Sequence, residues 1–126
     1  MSKKIIASPL APKAVGPYSQ AVESNGTLYV SGQLPIDASV GAFVEGGAKE
    51  QMIQIFKNLG YILEEAGYSF ADVVKTNVYL TDMANFPVLN EVYAQFFSEP
   101  FPARVCYAVA ALPMGALAEI EVVAAK

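Results

Sequence analysis

The sequence predicts an α+β fold in which one mixed β-sheet carries two α-helices on the same face. Two observations predict it. Apolar residues recur with a helical period in two separate stretches, and β-branched and aromatic stretches bounded by Gly and Pro surround them. Their order along the chain is β-β-α-β-α-β-β, with a further short strand near residues 4–7. Two helices can cover only one face of such a sheet, so we expect the other face to need a partner.

The first predicted element is a hairpin. Residues 20–24 and 27–31 flank Asn25-Gly26, a dipeptide that tolerates the positive φ angles of a type I′ turn. Ser31-Gly32-Gln33 ends the second strand. The stretch 34–47 contains several Gly and one Pro, which predicts a loop with room for short extended pieces.

Two amphipathic helices are predicted next. Over residues 48–66 the apolar positions fall on one side, Gly67 closes the helix, and the polar residues, Gln54 and Asn58 among them, fall mainly elsewhere. Over residues 88–97 a second apolar stripe appears, with Asn85 as a plausible N-cap and Pro100 and Pro102 beyond its end. The apolar positions are Met52, Ile55, Phe56, Leu59, Ile62, Leu63 and Ala66 in the first helix, and Val88, Leu89, Val92, Tyr93, Phe96 and Phe97 in the second.

Three more strands complete the prediction. Residues 73–80 are rich in β-branched and aromatic side chains. Residues 103–110 and 117–125 follow the second helix and are joined by a turn containing Pro113 and Gly115. The whole chain has the usual size of one domain, so we expect a single domain over residues 1–126.

Composition limits the partners. A hydrophobic fraction of 54% is high for a small chain, and self-association is the simplest way to bury the excess. The longest uncharged run, residues 105–118, contains Pro113 and Gly115 and is shorter than the ~20 residues that a membrane helix needs, so no membrane partner is expected. A net charge of −4 disfavours nucleic acid.

Cysteine and histidine counts limit compartment and chemistry. The single Cys106 cannot form an internal disulfide and residues 1–10 lack the apolar stretch of a signal peptide, so the chain is predicted to be cytoplasmic. The absence of histidine removes the commonest general base and metal ligand. Any chemistry must use carboxylates, Arg, Tyr, hydroxyls, Cys106 or backbone groups.

The last two predicted strands carry the candidate chemistry. Alternation places Arg104 and Cys106 on one face of their strand, and Glu119 and Glu121 on one face of theirs. If the two strands pair through their short turn, Arg104 and one glutamate could share a pocket. Each residue type also has an ordinary reading: a surface arginine, a solvated pair of glutamates, a small apolar cysteine.

The sequence motifs, taken together, favour a functional site over these ordinary roles. Those motifs are, in order, Gly16-Pro17-Tyr18-Ser19-Gln20-Ala21, Val30-Ser31-Gly32-Gln33-Leu34-Pro35, Lys75-Thr76-Asn77-Val78, then Asn90, Tyr93 and Phe96-Phe97, then Pro102-Ala103-Arg104-Val105-Cys106 and Glu119-Ile120-Glu121. With this order and spacing the chain strongly resembles the RidA family of reactive imine deaminases, over nearly its whole length.

The resemblance implies a chorismate-mutase-like α+β chain that forms a homotrimer, with the sheets in a central barrel, the helices outside and active sites between neighbouring chains. It implies that Arg104 binds a substrate carboxylate, that Glu119 positions water and that Cys106 lines the pocket. The other positions matched to the site or its walls are Tyr18, Ser31, Gly32 and Asn90, of which Asn90 could also be an ordinary polar residue on a helix flank.

The resemblance also implies the reaction. The substrates would be 2-imino or 2-enamino acids of the 2-iminopropanoate, 2-aminoacrylate and 2-iminobutanoate type, hydrolysed without cofactor or metal to 2-keto acids and ammonia. This would remove reactive metabolites. Two alternatives remain: a trimer that binds metabolites and regulates partners without turnover, and a ribonuclease or translation inhibitor, which the acidic charge and the absence of histidine disfavour.

Overall fold

One six-stranded mixed sheet organises the chain, and a computed structural model describes it over residues 2–126. The order of strands across the sheet is β1-β2-β3-β8-β6-β7, and β4 and β5 form a separate small hairpin. The strands are β1 (Lys4–Ile6), β2 (Ala21–Ser24), β3 (Thr27–Gln33), β4 (Ile36–Asp37), β5 (Ala42–Phe43), β6 (Val73–Leu80), β7 (Ala103–Ala108) and β8 (Ala118–Ala125). The helices are α1 (Ala48–Glu65) and α2 (Phe86–Phe96).

The predicted hairpin is confirmed as β2 and β3. Asn25 and Gly26 have φ angles of 53° and 76°, as a type I′ turn requires, and the register pairs Ala21 with Val30. Strand β3 continues to Gln33, and its pairing with β8 shifts between Val30 and Gln33. This irregularity lies at the Ser31-Gly32 motif, where it changes the direction of the side chains that follow.

Both predicted helices are present, with small differences at their ends. Helix α1 covers the predicted stretch except its last residue. Helix α2 begins at Phe86, directly after the predicted N-cap Asn85 and with Pro87 in its first turn, and it ends at Phe96, one residue before the last position of the predicted apolar stripe. Asn85 is the N-cap residue, although its side chain makes no capping hydrogen bond.

Both helices lie on one face of the sheet, as predicted. Along β8 the side chains of Ile120 and Val122 are buried in the core, whereas those of Glu119 and Glu121 alternate to the opposite face. The buried face meets Phe56 and Leu59 of α1 in one hydrophobic core. The opposite face has no helix over it in the described residues 2–126.

The expected pairing of the last two strands is wrong. Strand β6 lies between β7 and β8, parallel to β7 and antiparallel to β8. Helix α2 is the reason, because a β-α-β connection makes its two strands parallel neighbours. The link from β7 to β8 instead passes over the end of β6, where Val109 N donates to Leu80 O (2.7 Å) and Thr81 N donates to Leu117 O (3.2 Å).

Some polar side chains of α1 are buried rather than on the solvent side. Asn58 is fully buried and donates from Nδ2 to Leu34 O (3.1 Å) and Ile36 O (2.9 Å), while its Oδ1 accepts from Gln54 Nε2 (2.9 Å). Helix α1 therefore holds the loop after β3 by side-chain hydrogen bonds to its backbone. Neither helix, within residues 2–126, is long and apolar enough to cross a membrane.

Candidate active site

Two separate cavities contain the predicted site residues except Cys106, which lines neither of them. The first, here called the glutamate cavity, has a volume of about 580 Å³ and opens on the face of the sheet without helices, with Tyr18, Ser31, Gly32, Glu119 and Glu121 in its wall. The second, the arginine cavity, has a volume of about 460 Å³ and lies beside β7 and α2. Its wall is formed by Asn90, Tyr93, Ala94, Phe101, Pro102 and Arg104.

Glu119 lies directly against the backbone of Gly32. A β-carbon placed on Gly32 would overlap Glu119 Oε2 and would lie about 3.0 Å from its carboxyl carbon. The absence of a side chain at residue 32 therefore creates the space for the Glu119 carboxylate. This close approach explains why glycine, rather than another residue, follows Ser31 at the end of β3.

The surroundings of Glu119 favour its protonated form more than water does. Burial is the larger cause and the neighbouring charge of Glu121 is the second, and both raise the pKa of Glu119 above its usual value. A carboxylate with a raised pKa is a stronger base toward a water molecule than an exposed one.

Hydrogen bonds hold the opposite wall of the glutamate cavity in place. Ser31 Oγ donates to Ser19 O (2.6 Å) and Ser31 N donates to Gln20 O (2.9 Å), which fastens the segment carrying Tyr18 to β3. The buried Gln20 side chain donates to Pro12 O (2.9 Å) and accepts from Ser8 N (2.7 Å). Tyr18 itself remains 52% exposed, with its ring at the rim of the cavity.

Arg104 lies on aromatic rings at the arginine cavity. Its guanidinium carbon is 4.8 Å from the ring centre of Tyr93 and 5.4 Å from that of Phe86, and Nη1 donates to Asn90 Oδ1 (2.9 Å). Within residues 2–126 the structure contains no ion pair to Arg104. Asn90 and the rings fix the orientation of the guanidinium and leave further N–H donors for an anion.

Cys106 lies two residues beyond Arg104 on the same face of β7, next to Val78 in the sheet register, and packs partly against the core. Burial raises the pKa of its thiol, and the charge of Arg104 opposes this effect only in part. The thiol is therefore neutral at physiological pH, which suits a pocket wall better than a nucleophile.

The comparisons with known proteins agree with these features. The family model described as Endoribonuclease L-PSP matches residues 8–126. The chain belongs to this family. It is 50% identical over 122 residues to the human 2-iminobutanoate/2-iminopropanoate deaminase, covering 97% of this chain and 89% of the human one.

Other members of the L-PSP family extend the comparison. A RutC family protein of Pyrococcus horikoshii is 48% identical and covers 98% of each chain. The crystal structure of RidA from the Antarctic bacterium Psychrobacter superposes with a TM-score of 0.94 at 49% identity, covering 98% of this chain and 99% of that one. The resemblance to the RidA family noted in the sequence is confirmed.

In this L-PSP family chain the two halves of the predicted site are apart. The register places Arg104 beside Thr76, whose side chain is buried under the helices, and Glu119 beside Tyr79 on the opposite face. Their Cα atoms are two strands apart, about 10 Å across the sheet, and three residues, about 10 Å, along it. One chain therefore does not bring Arg104 and Glu119 to a common pocket.

Three residues near Glu119 and Glu121 were not among the predicted site residues, although Asn77 belongs to one of the family motifs. Tyr79 and Asn77 of β6 hold Glu121, and Met114, whose φ of 60° is unusual for a non-glycine residue, forms part of the cavity wall. The alternation of β6 could have placed Asn77 and Tyr79 on the face of Glu119. Only the strand order, which the sequence left open, shows that β6 is the neighbour of β8.

Proposed function

We propose that this chain hydrolyses 2-imino and 2-enamino acids, of the 2-iminopropanoate, 2-aminoacrylate and 2-iminobutanoate type, to 2-keto acids and ammonia. The observation that carries the proposal is the guanidinium of Arg104, which is oriented by Asn90 and aromatic rings yet has no ion-pair partner within residues 2–126. A planar fork of N–H donors fits a carboxylate with two parallel hydrogen bonds. The human relative named as a 2-iminobutanoate/2-iminopropanoate deaminase supports this substrate class.

The second requirement is a base for water, and Glu119 supplies it in the proposed reaction. Water adds its oxygen to the carbon of the protonated imine while Glu119 takes one of the water protons, giving a neutral carbinolamine. Glu119 returns this proton to the nitrogen, the C–N bond breaks to release ammonia, and the hydroxyl gives its proton back to Glu119 as the C=O bond of the keto acid forms. An enamine first gains a proton at its terminal carbon to become the imine. Positioning of the acid and the water supplies most of the expected acceleration.

The proposed site joins two chains. Because Arg104 and Glu119 lie on opposite faces of one sheet, a small substrate can contact both only if a neighbouring chain brings its arginine cavity to the glutamate cavity. We propose a homotrimer in which the chains form a chorismate-mutase-like barrel with the helices outside. The uncovered face, with Tyr29 and Tyr107 each more than half exposed, and the unpaired outer edge of β7 support such an assembly.

The other predicted residues have supporting roles in this proposal. Tyr18, Ser31 and Gly32 form the water-side wall, and Asn90 holds Arg104. Cys106 contributes to the wall near Arg104 and acts neither as nucleophile nor as base. No cofactor takes part, and we propose that the enzyme removes reactive metabolites in the cytoplasm.

The test is the release of ammonia and keto acid from imines generated in situ by an amino-acid oxidase. Wild type should exceed the spontaneous rate, and Arg104→Ala at matched concentration should not, because the substrate carboxylate loses its partner. Arg104→Lys keeps the charge but not the fork and should lose about tenfold or more in kcat/KM. If wild type fails to exceed the background with both small and bulky imino acids, the proposal is wrong and binding without turnover becomes the better reading.

The same preparations separate deamination from ribonuclease activity. The family description names an endoribonuclease, but this chain carries a net charge of −4 and no histidine. We expect single-stranded RNA to remain intact at protein concentrations that deaminate imines. Cleavage that persists in both Arg104→Ala and Glu119→Gln would point to a contaminant or to a different site.

A further inference from the structure

A second carboxylate lies beside Glu119 and is held more firmly than a solvated surface residue would be. Glu121 shares the outer face of β8 with Glu119, and both line the glutamate cavity. Glu121 Oε1 accepts from Tyr79 Oη (2.5 Å) and from Asn77 Nδ2 (3.2 Å). Two donors on one oxygen fix the carboxylate in position.

The arrangement of Asn77 indicates that stability alone does not account for this group. Within residues 2–126, Asn77 Oδ1 is buried without a hydrogen-bond partner, while the amide nitrogen of the same side chain donates to Glu121. A buried polar atom without a partner costs stability. Such local costs are expected at functional positions rather than in a purely structural network.

Tyr79 is a constant donor in this group. Its hydrogen bond to Glu121, then burial and the nearby negative charges, raise the pKa of Tyr79 to about 12. The phenol therefore stays protonated over the whole working pH range and donates to Glu121 throughout. Tyr79 is also the cross-strand neighbour of Glu119, so this one residue is next to Glu119 in the sheet and is hydrogen-bonded to Glu121.

We propose that Glu121 is a positioning residue for the proposed hydrolysis: Tyr79 and Asn77 fix its negative charge beside Glu119, where it favours transfer of a proton from the hydrolytic water to Glu119. The inference rests on the proposed function and extends it to a residue that does not touch the substrate. Two carboxylates on one face are otherwise unfavourable, because like charges at this separation repel. In return, the charge of Glu121 makes Glu119 a stronger base toward the hydrolytic water.

Other polar and charged groups around the two carboxylates also act on the pKa of Glu119. Strand β6 contributes Lys75, Asn77 and Tyr79 on this face, β3 contributes Tyr29 and Ser31, and the N-terminal segment contributes Lys13 and Tyr18. In the proposed trimer a neighbouring chain adds Arg104. Removing the charge of Glu121 leaves all of these groups in place, so its effect on Glu119 can be measured by itself.

The sign of the effect follows from the charges. In Glu121→Gln the repulsion between the two carboxylates is lost, so the pKa of Glu119 falls toward its usual value. The acidic limb of the kcat/KM profile, below which Glu119 is protonated, should move to lower pH by the same amount. At neutral pH the weaker base should lower kcat/KM by about two- to tenfold.

The experiment measures the titration of Glu119 directly and then the rate. The carboxyl ¹³C shift of Glu119, identified by its loss in Glu119→Gln, is followed against pH in wild type and in Glu121→Gln. Tyr79→Phe should give a smaller shift in the same direction, because Glu121 keeps its charge but loses an anchor. Glu64→Gln, on the exposed side of α1, is the control that should change neither the titration nor the profile.

The outcomes separate this inference from the proposed function. A parallel movement of the titration and of the acidic limb in Glu121→Gln would support it. An unchanged midpoint in Glu121→Gln would overturn it, and so would a midpoint that moves while the rate profile does not. If no protein deaminates imines, the proposed function fails, whereas the titration alone still shows whether the two carboxylates are coupled. Thermal unfolding curves identify any variant whose loss of activity comes from unfolding.

Discussion

At the scale of single residues, the candidate site depends on two side chains and one missing side chain. Arg104 is oriented by Asn90 and two aromatic rings, and Glu119 fits only because residue 32 is glycine. Spacing alone left both a shared pocket and an ordinary surface role open for Arg104 and Glu119, and the family motifs were needed to choose between them. The sequence could not show the contact between Gly32 and Glu119, because it depends on the pairing of β3 with β8.

Replacing Gly32 with alanine tests this contact. The new β-carbon would occupy the position of Glu119 Oε2, so the carboxylate must turn away, while the flexible end of the side chain lets the backbone stay in place. We expect kcat/KM to fall by about 100-fold, as misplacement of a catalytic group by about 1 Å can cost, with little change in the thermal midpoint. The double variant Gly32→Ala, Glu119→Ala should be no less active than Glu119→Ala alone. An additive loss would show that Gly32 acts through some other group.

Replacing Cys106 tests the role of the thiol. Because burial raises its pKa, the thiol is neutral at pH 7 and supplies no thiolate. Cys106→Ala should therefore keep kcat/KM within about tenfold of wild type, a smaller loss than that of Arg104→Ala. Cys106→Ser, close to cysteine in size, controls for the volume lost in the alanine variant. A larger loss in Cys106→Ala than in Arg104→Ala would contradict the assignment of both residues.

At the scale of secondary-structure elements, most predictions were confirmed because they rest on local signals. The Asn25-Gly26 turn, the apolar stripe of α1 and the bounds of β6 are all set by neighbouring residues. The order of strands is not local. Helix α2 makes β7 a parallel neighbour of β6, and this crossover, rather than the short turn after β7, decides where Glu119 lies relative to Arg104.

The buried amide of Asn58 gives a prediction at this scale. Asn58→Ala would leave the backbone oxygens of Leu34 and Ile36 without their donor, next to the loop that forms part of the glutamate cavity. We expect a loss of about 2–4 kcal/mol in the free energy of unfolding, measured by urea denaturation at fixed chain concentration. Lys57→Ala, at the adjacent exposed position, should change it by less than about 0.5 kcal/mol. Equal effects of the two variants would show that these hydrogen bonds contribute little.

At the scale of the whole molecule, the two halves of the proposed site lie on opposite sides of the sheet of one chain. The composition already predicted a partner, because 54% hydrophobic residues exceed what a chain of this size readily buries. The structure adds where the partner should lie: against the uncovered face and the outer edge of β7. The number of chains does not follow from these surfaces, so the trimer continues to rest on family resemblance.

Mixing two inactive variants tests whether the site joins two chains. Arg104→Ala and Glu119→Gln each destroy a different half, and in a ring of three chains each site combines the arginine half of one chain with the glutamate half of its neighbour. After random exchange at equal amounts, about one site in four should contain two intact halves. Imine hydrolysis should therefore return to about a quarter of the wild-type rate per chain, whereas the separate variants stay at background.

The matched control mixes wild type with a chain that carries both substitutions. If sites lie between chains, about a quarter of the sites in the equal mixture are intact, but if they lie within one chain, about half are intact. Subunit exchange by joint unfolding and refolding, checked by mass spectrometry of the assemblies, makes the two results comparable. If activity returns in the first mixture and the second mixture keeps about a quarter of the wild-type rate, Arg104 and Glu119 must act across an interface between chains. If the first mixture stays at background and the second keeps about half of the wild-type rate, each site lies within one chain. That result would contradict the site shared between chains.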